Sequence, residues 1–322
     1  TLSYWINTLQ NLKTKKDYFV SLNETQNINN VIEKISYELL KSSKSLDVFP
    51  TPVDSILNYS DFVADNKIDL LNIKHSFFEK FKDSSIKILQ SGISKVKGIF
   101  DRREKTIYID IGLDKNLGKK NFVQLHEIGH GVLGWQNEMM LCLDNDDTLS
   151  HEIEEQFEQE ANYFASITLF QHDRFIQEAE KLNLGLSSVM ALSKKFGASV
   201  HATLRNYVLN SKNRCALLVL NHPVNENGYI NILTKRDLFY SSLFLKEFGE
   251  LNLPEEFGFK WNFVKDFKFN KKFNDKGTIN LVTLNGEELN SNYHFFNSTY
   301  NSFVFIFPKG EKNKAKTKVI LS

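Results

Sequence analysis

The stretch NFVQLHEIGHGVLGWQ, residues 121–136, limits what this chain can fold into more than any other. His126 and His130 stand four apart, so on an α-helix both imidazoles share one face. There they can meet one ion, at about 2.0–2.1 Å each if it is zinc. Glu127 falls roughly 100° around the helix, beside the ion's open position. A carboxylate in that place can take a proton from water and hand it to a leaving amine, which is the mechanical reason for the HExxH spacing. A chain of this composition meets the pattern by chance about once in a hundred. The plain alternative, a helix with surface or backbone-capped histidines, must also explain Gly129 and Gly131. Both are poor helix formers whose missing side chains let another element come close.

Such a site needs a third protein ligand. The metzincin pattern requires Gly at 133 and His at 136; Leu133 and Gln136 exclude it. The alternative is a carboxylate from a following helix, and SHEIEEQFEQEANYFASITLF, residues 150–170, reads as one. Ile153, Phe157, Ala161, Phe164, Ala165 and Thr168 form its inward stripe, and Ser150 suits its N-cap. Glu158 and Asn162 share a face, so the first can ligate while the second orients a ligand from behind. Glu154, Glu155 and Glu160 are rivals. Glu160 lies roughly 200° from Glu158, so the two cannot both face one ion, and it is expected as a solvated carboxylate. His151 is expected at the surface, with an oxyanion donor as its alternative role. Tyr108 and Tyr163 are the other candidates to stabilise an oxyanion.

Along the rest of the chain, LSYWINTLQNLK and NINNVIEKISYELLKSS read as two helices, the latter with Val31, Ile35, Leu39 and Leu40 at helical spacing. FPTPVD, residues 49–54, is a boundary, with Pro52 in the first turn of a short helix. KVKGIFDRREKTIYID, residues 95–110, alternates around a polar DRRE turn and predicts a β-hairpin. Its strand 105–110 is expected to offer an edge to an extended substrate segment. SSVMALSKKFGASVHATLRNYV, residues 187–208, predicts helix–turn–helix with Gly197 at the turn. A helical bundle packed on the preceding core is the favoured reading over a DNA reader. The texture then changes: CALLVL, YINILT, TINLVTL and FVFIF are short β-type runs, with one helix near 240–248 and a last strand at VILS. KWNFVKDFKFNKKFN, residues 260–274, reads as an amphipathic strand with aromatic and lysine faces, in preference to a single-stranded nucleic-acid platform.

The fold class expected is α+β. A helical extension spans 1–48 and a metallopeptidase core of gluzincin type spans 49–184. A helix–turn–helix-like segment covers 185–212, and a β-rich domain for sensing or docking covers 213–322. Over 322 residues, a hydrophobic fraction of 41% and a net charge of +1 describe a folded, soluble protein. They give no bulk electrostatic case for nucleic acid or an anionic membrane. The longest apolar run, near residues 161–170, is about half a membrane span. No signal-peptide pattern opens the chain. Cys142 and Cys215 make no CxxC, and together these features predict a cytoplasmic location.

HEIGH followed by EQEANYFAS resembles the ImmA/IrrE family of gluzincin metallopeptidases, whose members show a hairpin, HExxH and then ExEANxFA. GIFDRREKTIYID matches the hairpin, and ALSKKFGASVHATLRNYV matches the helices after the peptidase core. The likeness runs from about Pro52 to Val208. One departure is Phe170-Gln171 where the family has Met-Pro. The resemblance implies His126, His130 and Glu158 as metal ligands, Glu127 as general base and Asn162 behind the ligands. It implies zinc, with manganese the other ion of relatives, and a protein substrate, a helix–turn–helix transcriptional repressor cleaved in a stress, DNA-damage or mobile-element response. Two other readings are a defence-associated binding module with a gated or structural metal, and a DNA-binding regulator using residues 187–208.

Overall fold

The computed structural model describes residues 22–70, 97–136, 151–222, 232–298 and 300–312. Its contacts divide the chain into two units. The first takes residues up to Leu46, Pro52–Gly112 and Phe122–Thr168; the second takes Asp47–Thr51, Leu113–Asn121 and everything from Leu169. The expected first helix, residues 2–13, and the loop 142–150 with its Ser150 cap lie outside the described residues, as do Cys142 and the VILS strand.

In the first unit, helix α1 (Leu22–Ser42) buries Ile32, Ser36, Leu39 and Leu40, a stripe centred one residue from the expected Val31 and Ile35. Ser36 shares a 2.8 Å hydrogen bond with Thr168, which fixes α1 at its buried face. Helix α2 (Val53–Tyr59) follows with Pro52 at its N-cap, then strand β1 (Val63–Ile68). Strands β2 (Gly98–Asp101) and β3 (Thr106–Asp110) form the expected hairpin, in antiparallel register Gly98 to Ile109 and Phe100 to Ile107. Asp101 closes its turn by accepting from the backbone N–H groups of Arg103 and Glu104.

The sheet order, β1-β3-β2, corrects one expectation. Strand β3 is central, bonded to β2 on one side and in parallel to β1 on the other, so residues 105–110 offer no edge to a substrate. VADNKI, the sequence of β1, lacks the apolar alternation that announces a strand, because its residues lie at the margin of the sheet.

Helix α3 (Leu117–Val132) carries HExxH, and helix α4 (His151–Leu169) carries the glutamates. Helix α4 buries Phe157, Ala161, Phe164, Ala165 and Thr168, as its periodicity predicts, and also Glu160 and Leu169, while the expected Ile153 is half-buried. The glycines of α3 mark close approach. A Cβ on Gly131 would lie 2.4 Å from the Phe62 ring, and one on Gly129 would lie 3.0 Å from Phe164.

The second unit holds helix α5 (Asp173–Ala179) and the pair α6 (Leu186–Phe196) and α7 (Val200–Leu209), joined at Gly197 in the left-handed region with φ +69°. Ser199 caps α7 by accepting from the Ala202 N–H. Strands β4 (Ala216–Asn221), β5 (Leu233–Tyr240), β6 (Glu256–Phe257), β7 (Phe273–Val282), β8 (Glu288–Asn297) and β9 (Asn301–Pro308) form one antiparallel sheet in the order β6-β5-β4-β9-β8-β7. Its central strands, ALLVLN and NSFVFIFP, are apolar almost without alternation because both faces are covered. One face packs on helices α8 (Ser242–Phe248) and α9 (Asn262–Lys268) through Phe244, Phe263 and Val264. The other meets α6 and α7, with Tyr207 edge-on to Phe305 at 5.9 Å and His294 accepting from the Leu186 N–H. The helical pair thus packs on the C-terminal sheet.

Residues 260–274 are a second correction. They form α9 and only then enter β7, because Phe263, Val264 and Phe267 satisfy a helical stripe as well as an alternating one. Asp266 on α9 is buried and accepts from Tyr293 Oη at 2.7 Å, Lys271 Nζ at 2.7 Å and Asn274 Nδ2 at 2.8 Å.

Among the described residues no helix is long and apolar enough to cross a membrane. Gly131→Ala is expected to lower the free energy of unfolding by about 1–3 kcal/mol through overpacking against Phe62. A urea titration checks this, and an unchanged midpoint would mean that the Phe62 ring yields without cost.

Candidate metal centre

Helices α3 and α4 bring three donors together. His126 Nε2 and His130 Nε2 are 3.1 Å apart, and each lies 3.4 Å from an oxygen of Glu158. Two atoms bonded at about 2.0–2.1 Å to a tetrahedral ion are about 3.3–3.4 Å apart, so this spacing fits a metal between them. Two imidazoles and one carboxylate are also a zinc-type donor set that leaves a fourth position open. The openness has a structural counterpart. The His126 side chain is 1% exposed and His130 12%, but Glu158 is 39% exposed. Burial pushes the Glu158 carboxyl up, but hydrogen bonds and the charge of the two imidazoles outweigh it and hold the group well below the usual carboxylate range.

Glu127 has the opposite environment. It is buried, and the loss of water pushes its carboxyl up to about 7. His126 opposes that rise, Glu158 adds to it by repulsion, and Arg102 and a hydrogen bond from the Phe100 backbone pull it down. Room for this carboxylate comes from strand β2: a Cβ on Gly98 would lie 2.6 Å from Glu127 Oε1. Arg102, in the turn of the hairpin, is a charged neighbour of Glu127 that sequence reasoning missed. Its only sequence signal is its place in the DRRE turn.

Behind His130 stands a layer that the sequence assigned elsewhere. His130 Nδ1 and Gln136 Oε1 are 2.8 Å apart, and Gln136 Nε2 donates to Glu160 Oε2 at 2.8 Å and to the Phe157 carbonyl at 3.3 Å. Glu160 is therefore no solvated carboxylate. It is 5% exposed and also accepts from Trp135 Nε1 at 2.8 Å and Gln156 Nε2 at 2.9 Å. The angular argument against Glu160 as a ligand stands, but the face it turns to is interior.

Asn162, expected behind the ligands, is exposed and makes no hydrogen bond to His126, His130 or Glu158; Gln136 fills that place for His130. His126 Nδ1 is buried without a hydrogen-bond partner among the described residues. The two tyrosines do not reach the site. Gly98, Phe100, Ile107 and Ile109 share the face of the sheet that meets Glu127, so Tyr108 points to the other face. There burial, Asp101, Asp65 and Glu104 all raise its hydroxyl pKa. Tyr163 donates to Glu33 Oε1 of α1 at 2.5 Å, and burial and that carboxylate raise its pKa. The His151 side chain lies outside the described residues, and Glu154 and Glu155 are not among the clustered donors.

The dependence of Glu127 on the gap at Gly98 is testable. Gly98→Ala is expected to lower the free energy of unfolding by about 1–3 kcal/mol, because the added Cβ meets the Glu127 carboxylate and Val123. A urea midpoint equal to the parent's would show that the carboxylate has slack at this position.

The sequence profile of the Peptidase M78 family, described as the IrrE N-terminal-like domain, matches residues 82–206. No curated protein matches the chain. Among solved structures, a Mycobacterium tuberculosis transcriptional regulator is similar at 14% identity and a TM-score of 0.47, covering 86% of this chain and 77% of its own. The profile spans both helices that supply the three clustered donors. Residues 82–206 are thus similar to the IrrE N-terminal-like domain of the Peptidase M78 family.

Proposed function

We propose that the protein is a zinc-dependent endopeptidase that cuts a specific protein partner, a helix–turn–helix transcriptional repressor, in a stress, DNA-damage or mobile-element response. The observation that carries the peptidase reading is the pairing of a metal-type triad with a buried carboxylate next to it on the same helix. A protein that merely holds a metal has no use for Glu127, whose burial is unfavourable for the charged form. The choice of a repressor as substrate rests on the resemblance to ImmA/IrrE proteins, as does manganese as the other ion.

His126, His130 and Glu158 would hold the ion, which supplies Lewis acidity at the scissile carbonyl. Glu127 does the proton work. With its carboxyl raised to about 7, it can accept a proton from the attacking water and return it to the departing amine at neutral pH. The Phe100 backbone N–H holds the carboxylate while it does so. The exposed flank of Glu158 is the side from which a peptide would enter.

Metal analysis of the parent protein should find about one ion per chain, removable by a chelator with loss of cleavage. Glu127→Gln should keep the ion and slow cleavage of the partner by about 10²–10⁴-fold. Loss of the ion in that variant would mean that the ligands are misassigned, and undiminished cleavage would mean that the proton carrier is another group.

A further inference from the structure

We propose that Glu160 and Gln136 are positioning residues that set the tautomer and direction of His130 for the ion, an inference that rests on reading the triad as a metal site. The argument begins with what Gln136 can do. Its Nε2 faces Glu160 Oε2 and the Phe157 carbonyl, and a carboxylate and a carbonyl both accept. The amide nitrogen must therefore lie on that side, which leaves Oε1 as the atom 2.8 Å from His130 Nδ1. An amide oxygen only accepts, so Nδ1 carries the proton, and Nε2 keeps its lone pair for the ion.

Glu160 makes the arrangement one-directional. If its carboxylate were absent, the Gln136 amide could turn over and present a donor to His130, placing the proton on the ligating nitrogen. Trp135 Nε1 binds the same Glu160 oxygen as Gln136, and Gln156 Nε2 binds the other, so neither the carboxylate nor the amide it fixes can swing. All three side-chain donors to Glu160 are neutral, and Gln136 is fully buried. Helix α4 thereby holds His130 at both edges of its ring: Glu158 faces Nε2 directly, and Glu160 acts on Nδ1 through Gln136. Glu158 and Glu160 lie about 200° apart on an ideal helix, which is what gripping from two sides requires.

The alternative is that the cluster only ties the end of α3 to α4. Metal binding separates the two roles. Zinc affinity of the full-length parent, Glu160→Gln and Gln136→Ala would be measured by competition with a chromophoric chelator, together with the absorption spectrum of each protein loaded with cobalt. Both variants should bind zinc about 10–100-fold more weakly and show altered cobalt bands, with unchanged far-ultraviolet circular dichroism. Parent-like zinc affinity and cobalt spectra would overturn the proposal, even if the melting temperature fell, because a tie alone would then explain the cluster. If Glu160→Gln fails to fold, Gln136→Ala decides alone, since it removes the acceptor on His130 and leaves the carboxylate with two of its donors. A parent protein that binds zinc no better than His126→Ala would instead sink the metal-site reading itself.

Discussion

The close approach of α3 and α4 at Gly129 and Ala161 is the constraint on which the candidate site depends. A Cβ on Gly129 would lie 3.5 Å from the Ala161 Cα and 3.0 Å from Phe164, so any larger pair would spread the helices. Gly129 precedes His130 by one residue, and Ala161 follows Glu158 by three. Separation there would carry Glu158 away from both imidazoles. The same contact explains why a helix carrying two clustered metal-type donors contains residues of poor helix propensity. Propensity is surrendered where side-chain bulk would keep the three donors apart, and buried Leu125 and Ile128 on α3 and Phe157 and Phe164 on α4 supply apolar burial that compensates.

What was legible in the sequence was whatever repeats with a helix or strand period. The HExxH spacing, the inward stripe of α4 and the alternation of β2 and β3 each announce a face, and the pairing of His126 with His130 follows from one, whereas Glu158 is singled out from Glu154 and Glu155 by the resemblance to ImmA/IrrE proteins. What was not legible depends on which element arrives next to a residue from elsewhere in the chain. Glu160 carries no local sign that Trp135 and Gln136 will cover it, so its charge alone argued for solvent. Tyr108 lies in the right strand, but its facing is decided by the parity of Gly98 against α3. That β3 is central follows from β1, whose sequence VADNKI does not read as a strand. Residues 260–274 fail for a different reason. Their apolar positions fit two periods, and the pairing of Asp266 with Tyr293, Lys271 and Asn274 accompanies the helical one.

Three carboxylates within one domain have been given three different characters by what surrounds them. Glu158 stands between two imidazoles with one side in solvent, which keeps it ionised and available as a ligand. Glu127 is on the next residue after a ligand yet is shut from water against Gly98, so its proton affinity is raised to the range where it can be loaded and unloaded near neutrality. Glu160 is as buried as Glu127 but is saturated by Trp135, Gln136 and Gln156, so its oxygens are committed to fixed donors. Residue type is the same in all three. The proposed division into ligand, proton carrier and positioning group would arise from solvent access and the number of donors each oxygen meets, the kind of environmental difference by which carboxylates of one type take separate roles at one pH.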